Sequence, residues 1–237
     1  MKFVKYYEKN LAETKKKIKE SVKFDNFVVQ TINNIDEINR VANTLAKRLR
    51  EWYELYNPEY SRQVEDHEKF VNLILLNKDK KVKDSMGADL SKEDLKPVMD
   101  LVKELEKLYK FKKEQEKYLE KIMKKNCPNI TAVTGGTIGA RMIAIAGDLK
   151  RLMEFPASTI QLLGAEKALF RHMKTGAKAP KHGILHEHPI VAKVKKKEKG
   201  KVARAVADKT SIAAKIDYFK GEFIGDKLRK ELEKRFT

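Results

Sequence analysis

Basic residues are concentrated in one segment of the sequence, between Arg171 and Arg204. These 34 residues include eleven Lys or Arg and two acidic residues, so they carry 11 − 2 = +9 of the formal net charge of +18. Glycine and proline interrupt the segment, which favours an exposed loop over a salt-bridged helix face. Such clustered cations neutralise phosphates, so the segment predicts a nucleic-acid-binding surface. The alternative is a solvated surface that only aids solubility.

Three further patterns could support chemistry, and each has a simpler explanation. The run GGTIG at 135–139 lacks the Lys-Ser/Thr ending of a phosphate loop and a preceding strand, so we expect a tightly packed helix start. His182, His186 and His188 could ligate a metal, but basic neighbours disfavour a cation, and contacts to RNA are expected instead. Cys127 has no identifiable partner base, which indicates an inert thiol. We find no catalytic residues, and expect no enzyme activity, no metal site and no cofactor.

The composition narrows the class of protein. The chain has 237 residues, of which 36% are charged and 41% hydrophobic. It is too apolar for wholesale disorder, and no run approaches the ~18 apolar residues of a membrane span. The N-terminus lacks the apolar stretch of a secretory signal, and a single cysteine excludes an internal disulfide. These features predict an intracellular, basic protein with an anionic partner and no membrane contact.

The first half of the sequence shows two helical heptad patterns. In the first, apolar residues recur at alternating steps of four and three, namely Phe24, Val28, Thr31, Ile35, Ile38, Ala42, Leu45, Leu49, Trp52 and Tyr56. Pro58 is expected to end that helix. The second pattern begins at Pro97 and ends before Pro128, with two polar positions. Together they predict a long antiparallel coiled-coil hairpin, with a short helix at 70–76 near its tip and a loop at 78–87. One hairpin buries little apolar surface, so self-association is expected.

The second half has a different composition. Small residues dominate 134–147, and sustained β alternation is absent. We expect a helix starting near Pro156, another between Gly164 and Gly176, and a mobile loop at 193–201. The predicted fold class is therefore all-α. It comprises a coiled-coil dimerisation domain at 1–127, followed by a compact all-helical domain at 128–237.

One string is specific enough to suggest a family. PASTIQLLGAEKALFR at 156–171 resembles the signature of the Nop domain. The resemblance includes 139–143, 146–149, 181–185 and 209–217. REWY at 50–53 is similar to the coiled coil of the same family, so nearly the whole chain is covered. The chain has His186-Glu187 where the family usually has an aromatic residue followed by Gln or His. It also has Gly136 where proline is common.

The resemblance implies a non-catalytic scaffold of a box C/D guide ribonucleoprotein, which directs 2′-O-ribose methylation of RNA. In this family the coiled coil pairs two copies, and the Nop domain binds a kink-turn RNA already held by a ribosomal-type kink-turn-binding protein. An N-terminal domain holds the methyltransferase fibrillarin. Because this chain opens on helix-forming sequence, we expect that domain to be absent. An archaeal member would be cytoplasmic, whereas eukaryotic relatives are nucleolar.

The resemblance and the charge pattern together predict the RNA contacts. The residues carried over by position are Lys167, Lys181, Arg204 and Lys215. The charge pattern adds Arg171, Lys174, Lys178 and His182, since cations contact phosphates and histidine stacks on exposed bases. The alternative class is a structural coiled-coil protein whose basic tail binds nucleic acid non-specifically.

Overall fold

The computed structural model describes residues 2–76, 81–82 and 84–236, and within these ranges it contains helices and no strand. The all-α prediction is therefore confirmed. In chain order the α-helices are α1 (Lys2–Ser21), α2 (Phe24–Tyr53), α3 (Pro58–Gln63), α4 (His67–Leu75), α5 (Lys92–Asn126), α6 (Pro128–Thr134), α7 (Gly136–Ala146), α8 (Leu149–Glu154), α9 (Ala157–Leu162), α10 (Glu166–Thr175), α11 (Pro189–Lys193), α12 (Lys199–Tyr218) and α13 (Gly225–Phe236). A 3₁₀ helix, Ile184–Glu187, precedes α11.

The chain divides into two compact units. One comprises Met1–Asn33 with Tyr118–Thr237, and the other comprises Asn34–Lys117. The long helices α2 and α5 contribute to both units. The division that we predicted between residues 127 and 128 concerns the roles of the two parts and not their packing. It stays a prediction.

The 34–117 unit has a hydrophobic core built from four helices. It contains Ala42, Ala46, Leu49 and Tyr53 of α2, Tyr60 of α3, Phe70, Val71 and Ile74 of α4, and Val98, Val102, Leu105 and Tyr109 of α5. Near the start of the α2 portion, the Asn34 side-chain amide lies 3.5 Å from the Gln115 amide oxygen. Since Gln115 lies late in α5, the two helices run antiparallel. Their pairing as a coiled coil stays a prediction.

The first heptad pattern holds along most of α2 and fails at its end. The helix ends at Tyr53 rather than at Tyr56. Trp52, which was expected in the core, is 40% exposed, whereas Tyr53 is 1% exposed. Pro58 begins a helix instead of ending one, because the Asn57 side chain accepts a hydrogen bond from the Tyr60 N–H and Pro58 takes the first position of α3.

The second long helix starts earlier than predicted. The hydroxyl of Ser91 accepts a hydrogen bond from the Asp94 N–H at 3.1 Å and donates to its carboxylate at 2.6 Å, so α5 is capped there and Pro97 lies inside it. The helix ends at Asn126, as predicted. The expected short helix is present as α4. Of the predicted loop at 78–87, residues 78–80 and 83 lie outside the described residues, and the others are not helical.

In the other unit, α12 is the central helix and packs against α6, α8, α9, α11 and α13. Small side chains permit close approach, as the sequence predicted. At Gly139 of α7, an added Cβ would lie 2.7 Å from Cγ2 of Ile130 and 3.1 Å from Cε of Met123. The loop predicted at 193–201 is wrong at both ends, because α11 includes Lys193 and α12 begins at Lys199.

Candidate nucleic-acid interface

Helix α10 presents three of the predicted cations on one face. Lys167, Arg171 and Lys174 are exposed and follow one another at steps of four and three residues, which places them on one side of the helix. The helix has no buried residue, and Phe170 and Met173 are 58% and 68% exposed. A basic face and two exposed apolar side chains therefore share a single helix of ten residues.

A turn at 181–184 is held against the end of α9 by backbone hydrogen bonds. The N–H of Gly183 donates to the carbonyl of Gln161 at 2.8 Å, and the N–H of Ile184 donates to the carbonyl of Leu163 at 2.7 Å. A Cβ added at Gly183 would lie 1.9 Å from the Leu163 carbonyl oxygen. The contact therefore requires glycine, and it fixes the path of the chain just after Lys181 and His182.

This turn lies beside the start of α12. Atoms of the Lys181 side chain lie 3.3 to 3.7 Å from the position of a Cβ at Gly200, so the lysine stem crosses the first turn of that helix. Arg204 follows Gly200 by four residues and is exposed on the same helix. The Lys181 stem therefore lies about one helical turn from Arg204, although the two residues are 23 positions apart in sequence.

His182 extends this cluster. Its ring stacks near that of His186, with centroids 6.1 Å apart and planes at 25°. Burial is the largest cause that lowers the pKa of His182, and the positive fields of His186 and Lys199 act in the same direction. A neutral, partly buried imidazole beside cations can stack on a base without a charge of its own.

Two predicted site residues, Lys215 and Lys178, are assigned to neither cluster. Lys215 is exposed on α12, and eleven residues separate it from Arg204, a rise of about 16 Å along the helix. Lys178 is exposed in the segment after α10. The structure therefore groups Lys167 with Arg171 and Lys174, and separately Lys181 with His182 and Arg204. The RNA contacts of all eight residues stay predictions.

The segment where the sequence departs from the family pattern has clear structural roles. Glu187 accepts a hydrogen bond from the Arg141 guanidinium of α7. His188 is buried, its Nε2 lies 2.9 Å from the Val133 carbonyl oxygen, and its Nδ1 accepts a longer bond from the Ile190 N–H. Burial lowers the pKa of His188. The composition gave no signal for these roles, because they depend on residues more than forty positions away.

The remaining chemical candidates are structural. Cys127 is buried, and burial raises the pKa of its thiol, with Asp217 and Asp25 adding to the effect, so it is a poor nucleophile. Gly135, with φ of +82°, ends α6 and begins α7. Across the described ranges, no three His, Cys, Asp or Glu side chains are grouped so that they could hold a metal ion.

A buried aspartate network lies next to Cys127. One carboxylate oxygen of Asp217 accepts hydrogen bonds from the backbone N–H of Asn129 at 3.1 Å and from its side-chain amide at 2.8 Å. The other oxygen accepts from the N–H of Ile130 at 2.8 Å. Burial raises the pKa of Asp217, although these donors act in the opposite direction. Since Cys127 gives no side-chain cap, Asp217 of α12 caps α6 from across the fold.

None of the helices described here is both long and apolar enough to cross a membrane.

Over the described residues, the fold is helical and displays two clusters of exposed cations, which defines a basic helical protein suited to an anionic partner. Residues 34–237 match the Nop family, described as snoRNA binding domain, fibrillarin. The chain belongs to this family, and the resemblance predicted from the sequence is confirmed.

Relatives in archaea and eukaryotes support this family assignment. The chain is 41% identical over 245 residues to a NOP5 family protein of Methanocaldococcus jannaschii, covering 94% of this chain and 59% of the relative. It is 35% identical over 243 residues to Nucleolar protein 56 of Schizosaccharomyces pombe, covering 90% and 49%. For Nucleolar protein 56 of Homo sapiens, the identity is 34% over 242 residues, covering 90% and 41%. The chain thus spans at most 59% of the length of these relatives.

A solved structure shares the fold. A chain in the crystal structure of a fibrillarin/Nop5p complex superimposes with a TM-score of 0.59 and 26% sequence identity, covering 99% of this chain and 77% of that chain. The likeness extends across both units of the protein.

Proposed function

We propose that this chain is a non-catalytic scaffold of a box C/D guide ribonucleoprotein that directs 2′-O-ribose methylation of RNA. Its binding target is a kink-turn RNA held by a ribosomal-type kink-turn-binding protein. The observation that carries the proposal is the packing of Lys181 and His182 beside the start of α12, one helical turn from Arg204, within the residues that match a snoRNA-binding family. In archaea the assembly would work in the cytoplasm.

The chemistry of the two clusters suits a surface made of RNA and protein together. Lys181 and Arg204 supply charge for phosphates, and the His182 ring supplies a face for an unstacked base. On α10, the exposed Phe170 and Met173 give apolar contact area beside Lys167 and its neighbours. Such a mixed face favours a composite target over bare nucleic acid.

The first test measures RNA binding as a function of salt. With about five phosphate contacts to a kinked RNA, we expect a log–log slope of roughly −3 to −4. Replacing both Lys181 and Arg204 with Ala should flatten the slope by about one to two units without a change in helical content, since both residues are exposed. The matched control replaces Lys195, Lys196 and Lys197, which are exposed in the turn before α12.

The same titration separates the proposal from the competing class. A coiled-coil protein with a basic tail would bind RNA equally with and without the kink-turn-binding protein. Its affinity would also follow the number of charges removed, so the triple lysine change would cost more than the Lys181/Arg204 pair. That result would exclude the scaffold function.

We propose fibrillarin as the methyltransferase partner of the assembly, because the fibrillarin/Nop5p complex shares this fold. In this family, the contact with fibrillarin lies in an N-terminal domain. A pull-down with these 237 residues should recover RNA and the kink-turn-binding protein, and the amount of fibrillarin recovered measures how much of that contact lies within them. Strong capture of fibrillarin by this chain would contradict that assignment.

We also propose that two copies pair through the 34–117 unit. Val41 and Trp52 are 46% and 40% exposed, and eleven residues, about three helical turns, put them on one side of α2. Sedimentation should show a dimer at tens of micromolar, and Val41→Glu with Trp52→Glu should leave a folded monomer. Leu49 lies in the core, so Glu there would test folding instead. A monomeric wild-type chain at that concentration would exclude the pairing.

A further inference from the structure

The side chain of Gln161 joins three parts of the candidate interface. Its amide nitrogen lies 2.6 Å from the carbonyl oxygen of Lys181 and 3.3 Å from that of Gly200. Its own backbone carbonyl accepts the N–H of Gly183 at 2.8 Å. One residue at the end of α9 therefore binds the 181–184 turn and the start of α12, which lie 20 and 39 residues away in sequence.

The amide group suits this position because it has two hydrogens. Each can be donated to a different carbonyl, which neither a carboxylate nor a hydroxyl of similar reach can do. Gly200 completes the arrangement, since it leaves room for the Lys181 stem to cross α12. Residues 177–182 belong to no helix, so the place of Lys181 depends on these contacts.

We propose that Gln161 is a positioning residue for RNA binding, which holds Lys181 at a set distance from Arg204. This inference rests on the function proposed above. Gln161 acts through the two cations and makes no RNA contact. With these bonds in place, the backbone that carries Lys181 is fixed relative to the start of α12 before RNA arrives, so less conformational freedom is lost on binding.

The test combines Gln161→Met with the Lys181/Arg204 double change. Methionine keeps the length and the helix propensity of glutamine and removes both donors. In the otherwise wild-type chain, affinity for kink-turn RNA with its binding protein should fall about fivefold, the factor for ordering one long side chain. In the chain that already lacks Lys181 and Arg204, the same change should cost less than about twofold, because coupled residues are not additive. Ser158→Ala, at an exposed site on the same helix, is the matched control.

Each outcome is decisive. An unchanged affinity for Gln161→Met would overturn the inference while leaving the proposed function intact. An equal loss in both backgrounds would show a general effect on folding, which also overturns it. If the Lys181/Arg204 change itself had no effect, the proposed function would fail first and the inference with it. A loss confined to the chain that retains both cations supports the positioning role.

Discussion

Replacing Asp217 with Ala should destabilise the protein more than any surface change on the same helix. The carboxylate accepts three hydrogen bonds, and two of them come from backbone N–H groups at the start of α6. Alanine would remove the cap and leave these donors buried without an acceptor. Loss of a helix cap costs about 0.5–2 kcal/mol, and each buried unsatisfied donor about 1–3 kcal/mol.

The contributions overlap, so we expect a total loss of about 3–5 kcal/mol in the free energy of unfolding. For a chain of this length, each kcal/mol lowers the melting temperature by about 2–4 °C, which gives a decrease of about 6–20 °C. Asp217→Asn should fall between the wild type and Asp217→Ala. It keeps one acceptor oxygen but turns an N–H donor toward either Asn129 or Ile130.

Thermal unfolding followed by circular dichroism at the helix band measures this effect, with urea unfolding as a second probe. Asp208→Ala is the control, because Asp208 is exposed on the same helix, and we expect a change within about 0.5 kcal/mol. If Asp217→Ala melted within a degree or two of that control, the three hydrogen bonds would contribute little, and the argument that α12 caps α6 would be refuted.

Three further changes follow from the same reasoning. Gly183→Ala should lower the free energy of unfolding in urea by about 2 kcal/mol or more, since its Cβ would overlap the Leu163 carbonyl oxygen. A free energy of unfolding equal to wild type would refute the close approach. Burial lowers the pKa of His188 below 6.5, so the unfolded chain binds more protons and stability falls as pH drops below that value. His188→Gln should therefore show a shallower loss between about pH 7 and 5 than wild type, and an equal slope would contradict this. Arg50→Lys should cost about 1–3 kcal/mol, because three different nitrogens of the Arg50 guanidinium donate to His67 Nδ1 and to the carbonyls of Ser61 and Glu65, and the single nitrogen of lysine cannot reach all three. A melting temperature equal to wild type would exclude the importance of these bonds.

The long helices could be predicted from the sequence because their apolar residues repeat over many turns. The error at the end of α2 has a geometric cause. A straight helix drifts by about 20° per heptad relative to an exact seven-residue repeat. Over the four heptads from Phe24 to Trp52 this amounts to about 80°, so the buried face passes from Trp52 to Tyr53. Local capping explains the start of α5, since Ser91 and Asp94 are a stronger start signal than Pro97.

The candidate interface could be predicted only where its residues are close in sequence. The spacing of Lys167, Arg171 and Lys174 is enough to place them on one helical face. The approach of Lys181 to α12 depends on the tertiary contacts of Gln161 and Gly183. A count of charges along the sequence cannot predict such contacts. Gln161 was part of the recognised string, but no local pattern indicated that its side chain joins distant segments.

In sequence, the 34–117 unit is inserted between the two parts of the other unit, and this affects the order of folding. Residues 24–33 of α2 must pack against residues 118–237, across an insertion of 84 residues, from 34 to 117. Closing a flexible loop of that length costs about 4 kcal/mol in its length-dependent part. The inserted unit has its own core, and the Asn34–Gln115 contact brings its two ends close together. If that unit folds first, the loop is already closed when the first segment of α2 packs with residues 118–237. Kinetic experiments should therefore show the 34–117 unit protected from hydrogen exchange before the rest of the chain.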